Sequence, residues 1–236
     1  MAIKGYLAMT AAEFRVFPSK HKKIAWMACH FSPYGTSLSN LPTDLPEGSL
    51  LILNDRTPIC GHDPELISAQ LSLLTQKFSC GGLLLDFQRP KEPETAALVS
   101  HLLQHLPCPM AVSHFYAKDL DCPVFLPPVP LDTPAEEHLT PWAGREIWLD
   151  VALDGCALAL TESGCTQTQL SETIEGGHAD DSLCCHYQIE ITPTSAVFRL
   201  QRTESDLTQL LRRAEAHGIT HAVGLYQELG DTKIYP

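Results

Sequence analysis

Gly81-Gly82-Leu83-Leu84-Leu85-Asp86-Phe87-Gln88 is the stretch on which the fold is decided. Two glycines open it, three leucines follow, an acid and an amide end it, and Arg89-Pro90 stops it. A short, nearly continuous apolar run between turn residues reads as a strand covered on both faces, the mark of a parallel sheet under helices. The flanks agree. Before it, Asp63 is a plausible N-cap, Pro64 suits the first helical position, and Ile67, Leu71, Leu74 and Phe78 form one stripe. After it, Pro93 opens a second helix with Leu98, Leu102, Leu103 and Leu106 on one face, and Pro107 ends it. Helix, buried strand and helix in succession predict an α/β sheet.

Outward from this unit the pattern repeats. Ile24 to Phe31 and Ser49 to Asp55 are two earlier apolar strands, joined by a polar, proline-containing loop over 36–48. Later strands are predicted at Met110 to Tyr116, Val124 to Leu126, Glu146 to Leu153 and Ala222 to Tyr226, with a short helix within 133–144. Asp154-Gly155 reads as a hairpin turn leading into Ala157 to Leu160. Residues 164–182 read as an exposed loop, and His186 to Ile191 pairs with Ala196 to Leu200 around a Thr-Pro-Thr-Ser turn. Thr203 with Asp206 resembles a capping box before the Leu207, Leu210, Leu211 and Ala214 stripe, which Gly218 ends. The expectation is a single-domain α/β fold over residues 1–236, an irregular (β/α)8 TIM-like barrel with added antiparallel hairpins. Residues 1–22 are expected to be an N-terminal arm, and 154–183 a hairpin and polar loop insertion. An open doubly wound sheet is the rival, but it wants a glycine-rich phosphate loop after a strand, and Cys80-Gly81-Gly82 precedes one.

Charge and composition narrow the function. With a net charge of −12 and scattered bases, the chain is not expected to grip nucleic acid or anionic lipid, which need clustered Lys and Arg. His21-Lys22-Lys23 is a short basic run and reads as a solvated lead-in to a strand. No stretch approaches the roughly 20 apolar residues that cross a bilayer, and the first residues lack a compact leader, so a cytoplasmic protein off the membrane is expected. The nine cysteines are an odd number in a chain large enough not to need staples, and read as free thiols. Cys184-Cys185-His186 resembles a metal tract, but successive strand residues face opposite ways and do not converge on one ion. A metal hydrolase built on His30, His114 and an aspartate has no recognisable spacing either, so no metal and no cofactor is expected. The oligomeric state is not written in the sequence.

In a barrel, chemistry sits where strands end at their C-termini. Those residues are His30, Asn54, Asp55, Asp86, Gln88, His114, Tyr116, Asp150, Tyr226 and Gln227. Asp86 is the catalytic candidate, because a carboxylate delivered by a buried strand must find donors or face a pocket. The others are candidate ligand contacts. Asp55 reads as readily as a loop cap, His114 as a core histidine, and Tyr116 as interior packing. Phe87-Gln88 and Tyr226-Gln227 place the same aromatic-amide pair at two strand ends, which suits the faces and hydroxyls of a sugar ring.

Gly81 to Gln88 also resembles the DGxDxDxE strand of the chitinase-type glycoside hydrolases, the barrel family numbered eighteen. In that resemblance Gly82 matches the glycine, Asp86 the last aspartate and Phe87 the aromatic, while Leu84 replaces the middle aspartate and Gln88 the acid glutamate. It implies an irregular barrel with extra hairpins and a substrate-assisted hydrolysis, in which the glutamate protonates the glycosidic oxygen and the last aspartate steadies an acetamido group. Glutamine has no proton to give at neutral pH. The expectation is therefore a barrel that binds a glycan or similar small polar ligand without conventional hydrolysis, using Asp86, Gln88, Tyr116, Tyr226 and Gln227. The alternative is an active hydrolase in which Asp86 works with Asp55 or Asp150.

Overall fold

The computed structural model describes residues 2–17, 23–33, 37–59, 61–170 and 172–232. In chain order it contains β1 (Lys4–Met9), α1 (Ala11–Val16), β2 (Ile24–Phe31), β3 (Leu38–Ser39), β4 (Leu50–Asn54), α2 (Pro64–Lys77), β5 (Gly82–Asp86) and α3 (Pro93–His105). Next come β6 (Met110–Ser113), α4 (His114–Ala117), β7 (Val124–Leu126), α5 (Ala135–Leu139) and β8 (Ile147–Asp150). The last part holds β9 (Gly155–Thr161), β10 (Gly164–Gln169), β11 (His178–Asp180), β12 (Cys185–Thr192), β13 (Ser195–Gln201), α6 (Glu204–Glu215), β14 (Ile219–Leu225) and α7 (Tyr226–Leu229).

Among the described residues, β1, β2, β4, β5, β6, β7, β8 and β14 run parallel in the order β1-β14-β8-β7-β6-β5-β4-β2, and β1 pairs with β2 to close the ring. The fold is an irregular (β/α)8 TIM-like barrel. β9 to β13 form a separate antiparallel sheet, ordered β10-β9-β13-β12-β11, between the seventh and eighth barrel strands.

Three sequence expectations are corrected. The N-terminal arm is instead a barrel strand and a capped helix, because Tyr6 to Met9 are buried and Thr10 with Glu13 closes a capping box on α1. Of the predicted arm, residues 18–22 lie outside the described residues. The hairpin at Asp154-Gly155 does not form: β8 has both edges taken by β7 and β14, so β9 pairs with β10 and β13 instead. The insertion is correspondingly larger than 154–183. Residues 164–182 contribute β10 and β11 rather than a loop, and the antiparallel sheet runs on to Gln201.

Alternation along the strands sorts the core into two layers. Tyr6, Ala8, Ala25, Leu50, Ile52, Leu84, Ala111, Phe125, Trp148 and Val223 fill the barrel interior. The intervening Leu51, Leu53, Leu83 and Leu85 face outward with Ile67, Leu71, Leu98 and Leu102 of the helices. Trp148 is fully buried within the barrel, beside His221 at 4.1 Å between ring centroids, and its indole N–H donates to Glu146 at 2.9 Å. A Cβ at Gly82 would stand 2.7 Å from the Trp148 ring and 3.0 Å from the Pro109 carbonyl, so the glycine is what admits the indole. Gly82→Ala is expected to cost about 1–3 kcal/mol, the usual range for overpacking. A urea midpoint equal to the parent's would show that the Trp148 ring is free to move aside.

The antiparallel sheet is fastened to the barrel by Arg202. This buried guanidinium donates to the carbonyls of Cys184 (3.2 Å), Val129 (2.9 Å) and Leu183 (3.3 Å). Beside it Leu131, Cys156, Cys185 and Leu200 make a small apolar cluster.

Candidate ligand site at the mouth of the barrel

Because strand side chains alternate, the inward series Leu50-Ile52, Gly82-Leu84 and Trp148 continues at the C-terminal ends into Asn54, Asp86 and Asp150. These three meet at a cavity of about 590 Å³. Ile52, Leu84, Phe125 and Val223 contribute its apolar part, and His30, Asn54, Asp55, Arg56, Asp86, Gln88 and Asp150 its polar wall. Thr10, Ala11 and Ala12, at the start of α1, complete the rim.

Asp86 stands beside Asn54 in register, and the Gln88 amide donates to its Oδ1 at 2.5 Å. Burial holds the Asp86 carboxyl above the ordinary range; the Gln88 hydrogen bond opposes the shift, and the charge of Asp55 adds to it. Asp150 is pushed further, to about 7, first by burial and then by Asp86, with Glu228 and Asp154 adding and the Val151 amide opposing. Two acids on strands across the barrel thus resist ionising together.

Asp55 plays a different part. It is buried, its Oδ1 accepts from the Gln88 amide and its Oδ2 from the Arg89 amide, both at 2.9 Å. Both oxygens are spent on holding the loop that carries Gln88, which is the cap role the sequence left open. Asn54 is also braced, donating to the Met27 carbonyl at 3.1 Å and accepting from the Arg56 amide at 3.1 Å. His30 Nδ1 lies 3.0 Å from the Ala28 carbonyl.

Of the sequence candidates, His30, Asn54, Asp55, Asp86, Gln88 and Asp150 line the cavity. His114, Tyr116, Tyr226 and Gln227 do not. The reason is local. β6 stops at Ser113 and β14 at Leu225, and each strand turns at once into a short helix, which swings the following side chains off the inner face. His114 lies against Phe115 and edge-on to Trp142. Tyr116 is buried edge-on to Phe87, and its hydroxyl reaches the Pro90 carbonyl at 3.4 Å. Tyr226 packs on Phe17, and Gln227 hydrogen-bonds Glu13. Phe87 is no sugar platform either: the Ser113 hydroxyl accepts from its amide at 2.8 Å, and its ring is buried between Phe31 and Tyr116. Arg56 and the Thr10 to Ala12 rim were not among the candidates. A capping pattern, Thr10 with Glu13 directly after an apolar run, was the signal available for the rim.

Among the described residues no three His, Cys, Asp or Glu side chains gather as metal ligands. At the suspected tract, His186 bonds Asp206 at 2.8 Å, while the Cys184 and Cys185 thiols reach different carbonyls. The eight described cysteines are free, and Cys60 lies outside the described residues.

A closed parallel barrel with an antiparallel sheet inserted after its seventh strand, and two acids at its C-terminal mouth, defines an irregular TIM-like barrel with a candidate site at the usual end. Its fold is that of the chitinase-type barrels. The chain is similar to a plant class V chitinase mutant from Cycas revoluta in complex with (GlcNAc)3, at 12% identity and a TM-score of 0.62, with 99% of this chain and 97% of that one covered. It is also similar to a chitinase from Chromobacterium violaceum (10%, TM-score 0.59, 99% and 96% covered). A third likeness is to a chitinase-like agglutinin from Robinia pseudoacacia (14%, TM-score 0.56, 94% of each chain covered). At these identities the likeness is one of fold. No protein-family profile and no curated protein sequence matches the chain.

Proposed function

We propose that this glycosidase-related barrel binds a glycan in its mouth cavity and does not hydrolyse it by the usual acid route. The observation that carries the proposal is the Asp86–Gln88 hydrogen bond at the open end of β5. An acidic side chain reaches a cavity, and the residue in the acid's place is an amide that serves the acid instead. The fold shared with a chitinase-like agglutinin supports binding as a use of this architecture. Free thiols support a reducing, cytoplasmic setting, and the scattered bases support a ligand that is neither nucleic acid nor membrane. Titration calorimetry against neutral and amino-sugar oligosaccharides is expected to give dissociation constants from micromolar to submillimolar, without reducing ends appearing over hours. Silence at millimolar concentration of every oligosaccharide would end the proposal.

A second reading has its own support. Asp150 holds its proton up to about pH 7, the property a general acid needs, and it faces the same cavity as Asp86. In that reading the pair hydrolyses a glycosidic bond, and slow release of reducing ends that Asp150→Asn abolishes would favour it. Asp55 is not the partner, since its oxygens are committed to two backbone amides.

A further inference from the structure

The cavity has a charge, and charge selects among glycans. Asp86 and Asp150 present carboxyls to it, and Asp55 closes its edge, with Arg56 and His30 as the basic side chains of the lining. Asp154 and Glu228 add their negative charge at Asp150. A second cavity of about 350 Å³ carries two more acids, Asp132 and Asp154, beside the Gln167 to Gln169 segment of β10. The short 151–154 link joins β8, which ends at the first cavity, to β9, which lines the second. An extended chain of sugars leaving the barrel mouth along this link meets carboxylates again. A neutral N-acetylated sugar offers nothing to neutralise them, whereas an ammonium group does.

We propose that the preferred ligand is an oligosaccharide carrying free amino groups, a glucosamine-containing chain, with ammonium groups set against Asp86 and Asp150 in the barrel mouth and against Asp132 and Asp154 beyond it. The inference rests on the glycan reading of the same cavity and names its ligand. It also gives the strained acids a purpose. An apposed cation releases the repulsion between Asp86 and Asp150 and draws off the proton that Asp150 keeps in the empty site, so binding discharges a proton into solution. Asp86, Asp154 and Glu228 all act on Asp150 in the same direction and the Val151 amide opposes them, while Arg56 and His30 are the basic side chains of the lining.

Calorimetry with a glucosamine tetramer and an N-acetylglucosamine tetramer tests this. At pH 6 the amine form is expected to bind about tenfold tighter, the scale of one well-placed ion pair. That advantage is expected to shrink severalfold between ~20 mM and ~200 mM salt, and to fall with Asp150→Asn or Asp154→Asn. Repeating the titration in two buffers of different ionisation enthalpy should show proton release with the amine form and none with the acetylated form. Equal affinities, or tighter binding of the acetylated form, overturn the inference and leave the glycan reading standing. No binding of either form removes both. The salt and buffer arms need only the unaltered protein, so a variant that fails to fold does not block the test.

Discussion

Asp150→Asn is expected to raise the melting temperature at pH 8 by several degrees and to leave it unchanged at pH 3. An unfolded aspartate titrates near 3.9, whereas in the folded chain Asp150 is pushed to about 7, chiefly by burial and by the neighbouring Asp86. Between those values the native state keeps a proton that the unfolded chain has lost, so native stability falls as pH rises through this window. Below it both states are protonated and the residue costs nothing. A shift from about 4 to about 7 at ~1.4 kcal/mol per pH unit sets a ceiling of about 4 kcal/mol at pH 8. Asp150 is partly open to the cavity, and solvent screening should bring this to about 1–2 kcal/mol, or roughly 3–6 °C for a domain of this size. The isosteric amide removes the cost while keeping the volume. A gain in stability joined to weaker ligand binding marks an acid kept for what it touches rather than for what it holds together. A lower melting temperature at pH 8 would instead make Asp150 a structural acceptor, and the site would lose its second acid.

The barrel was legible in the sequence because parallel strands buried on both faces announce themselves. Leu50 to Leu53 and Gly82 to Leu85 needed only their apolar continuity and their flanking caps, and Asp63, Pro64 and the Thr203–Asp206 pair lie where those cap rules place them. β1 was not recognised, since its apolar run, Tyr6 to Met9, is short and the helix behind it, α1, spans only six residues and buries none of them, so no apolar stripe marks the pair as one of a series. The antiparallel insertion was legible as hairpins but not in its partners. Pairing across β9 and β13 joins residues some 40 positions apart, and no local signal records that. Of the candidates at strand ends, Asp86 and Asp150 line the cavity because they are in phase with the inward Leu84 and Trp148 of their own strands. Those misplaced, Tyr116 and Tyr226, stand past the last paired residue, where a strand's alternation no longer governs direction. Asp55 shows a further limit: its position at a strand end is shared by ligands and by caps, and only its two amide partners tell them apart.

On the proposed glycan reading, Gln88→Glu is expected to confer slow hydrolysis on the parent. The Gln88 amide nitrogen lies 2.5 Å from Asp86 Oδ1 at the cavity wall. A glutamate in the same rotamer places two carboxyls within hydrogen-bonding distance, and Asp55 adds a third negative charge that already raises Asp86. Two such groups do not both ionise, so one proton stays between them toward neutral pH. That proton faces the cavity on the more exposed partner, as a general acid requires, and acid catalysis of this kind is worth about 10²-fold or more. The resemblance of this strand to the chitinase-type motif implies the other half of the reaction: an acetamido group on the sugar being cleaved, which Asp86 would steady. The oligomer to test is therefore a partly N-acetylated glucosamine chain, with amines for the proposed acidic cleft and an acetamido group at the scissile residue. Leu84 still stands where that motif has its middle aspartate, so the rate should remain well below the full gain. Reducing ends should appear with Gln88→Glu, decline as pH rises past the loss of the shared proton, and vanish in the double variant with Asp86→Asn. If the variant binds the oligomer as tightly as the parent and releases nothing, the acid position is not the missing part. If the parent already turns over at the same rate, hydrolysis runs through Asp86 and Asp150 without help from position 88.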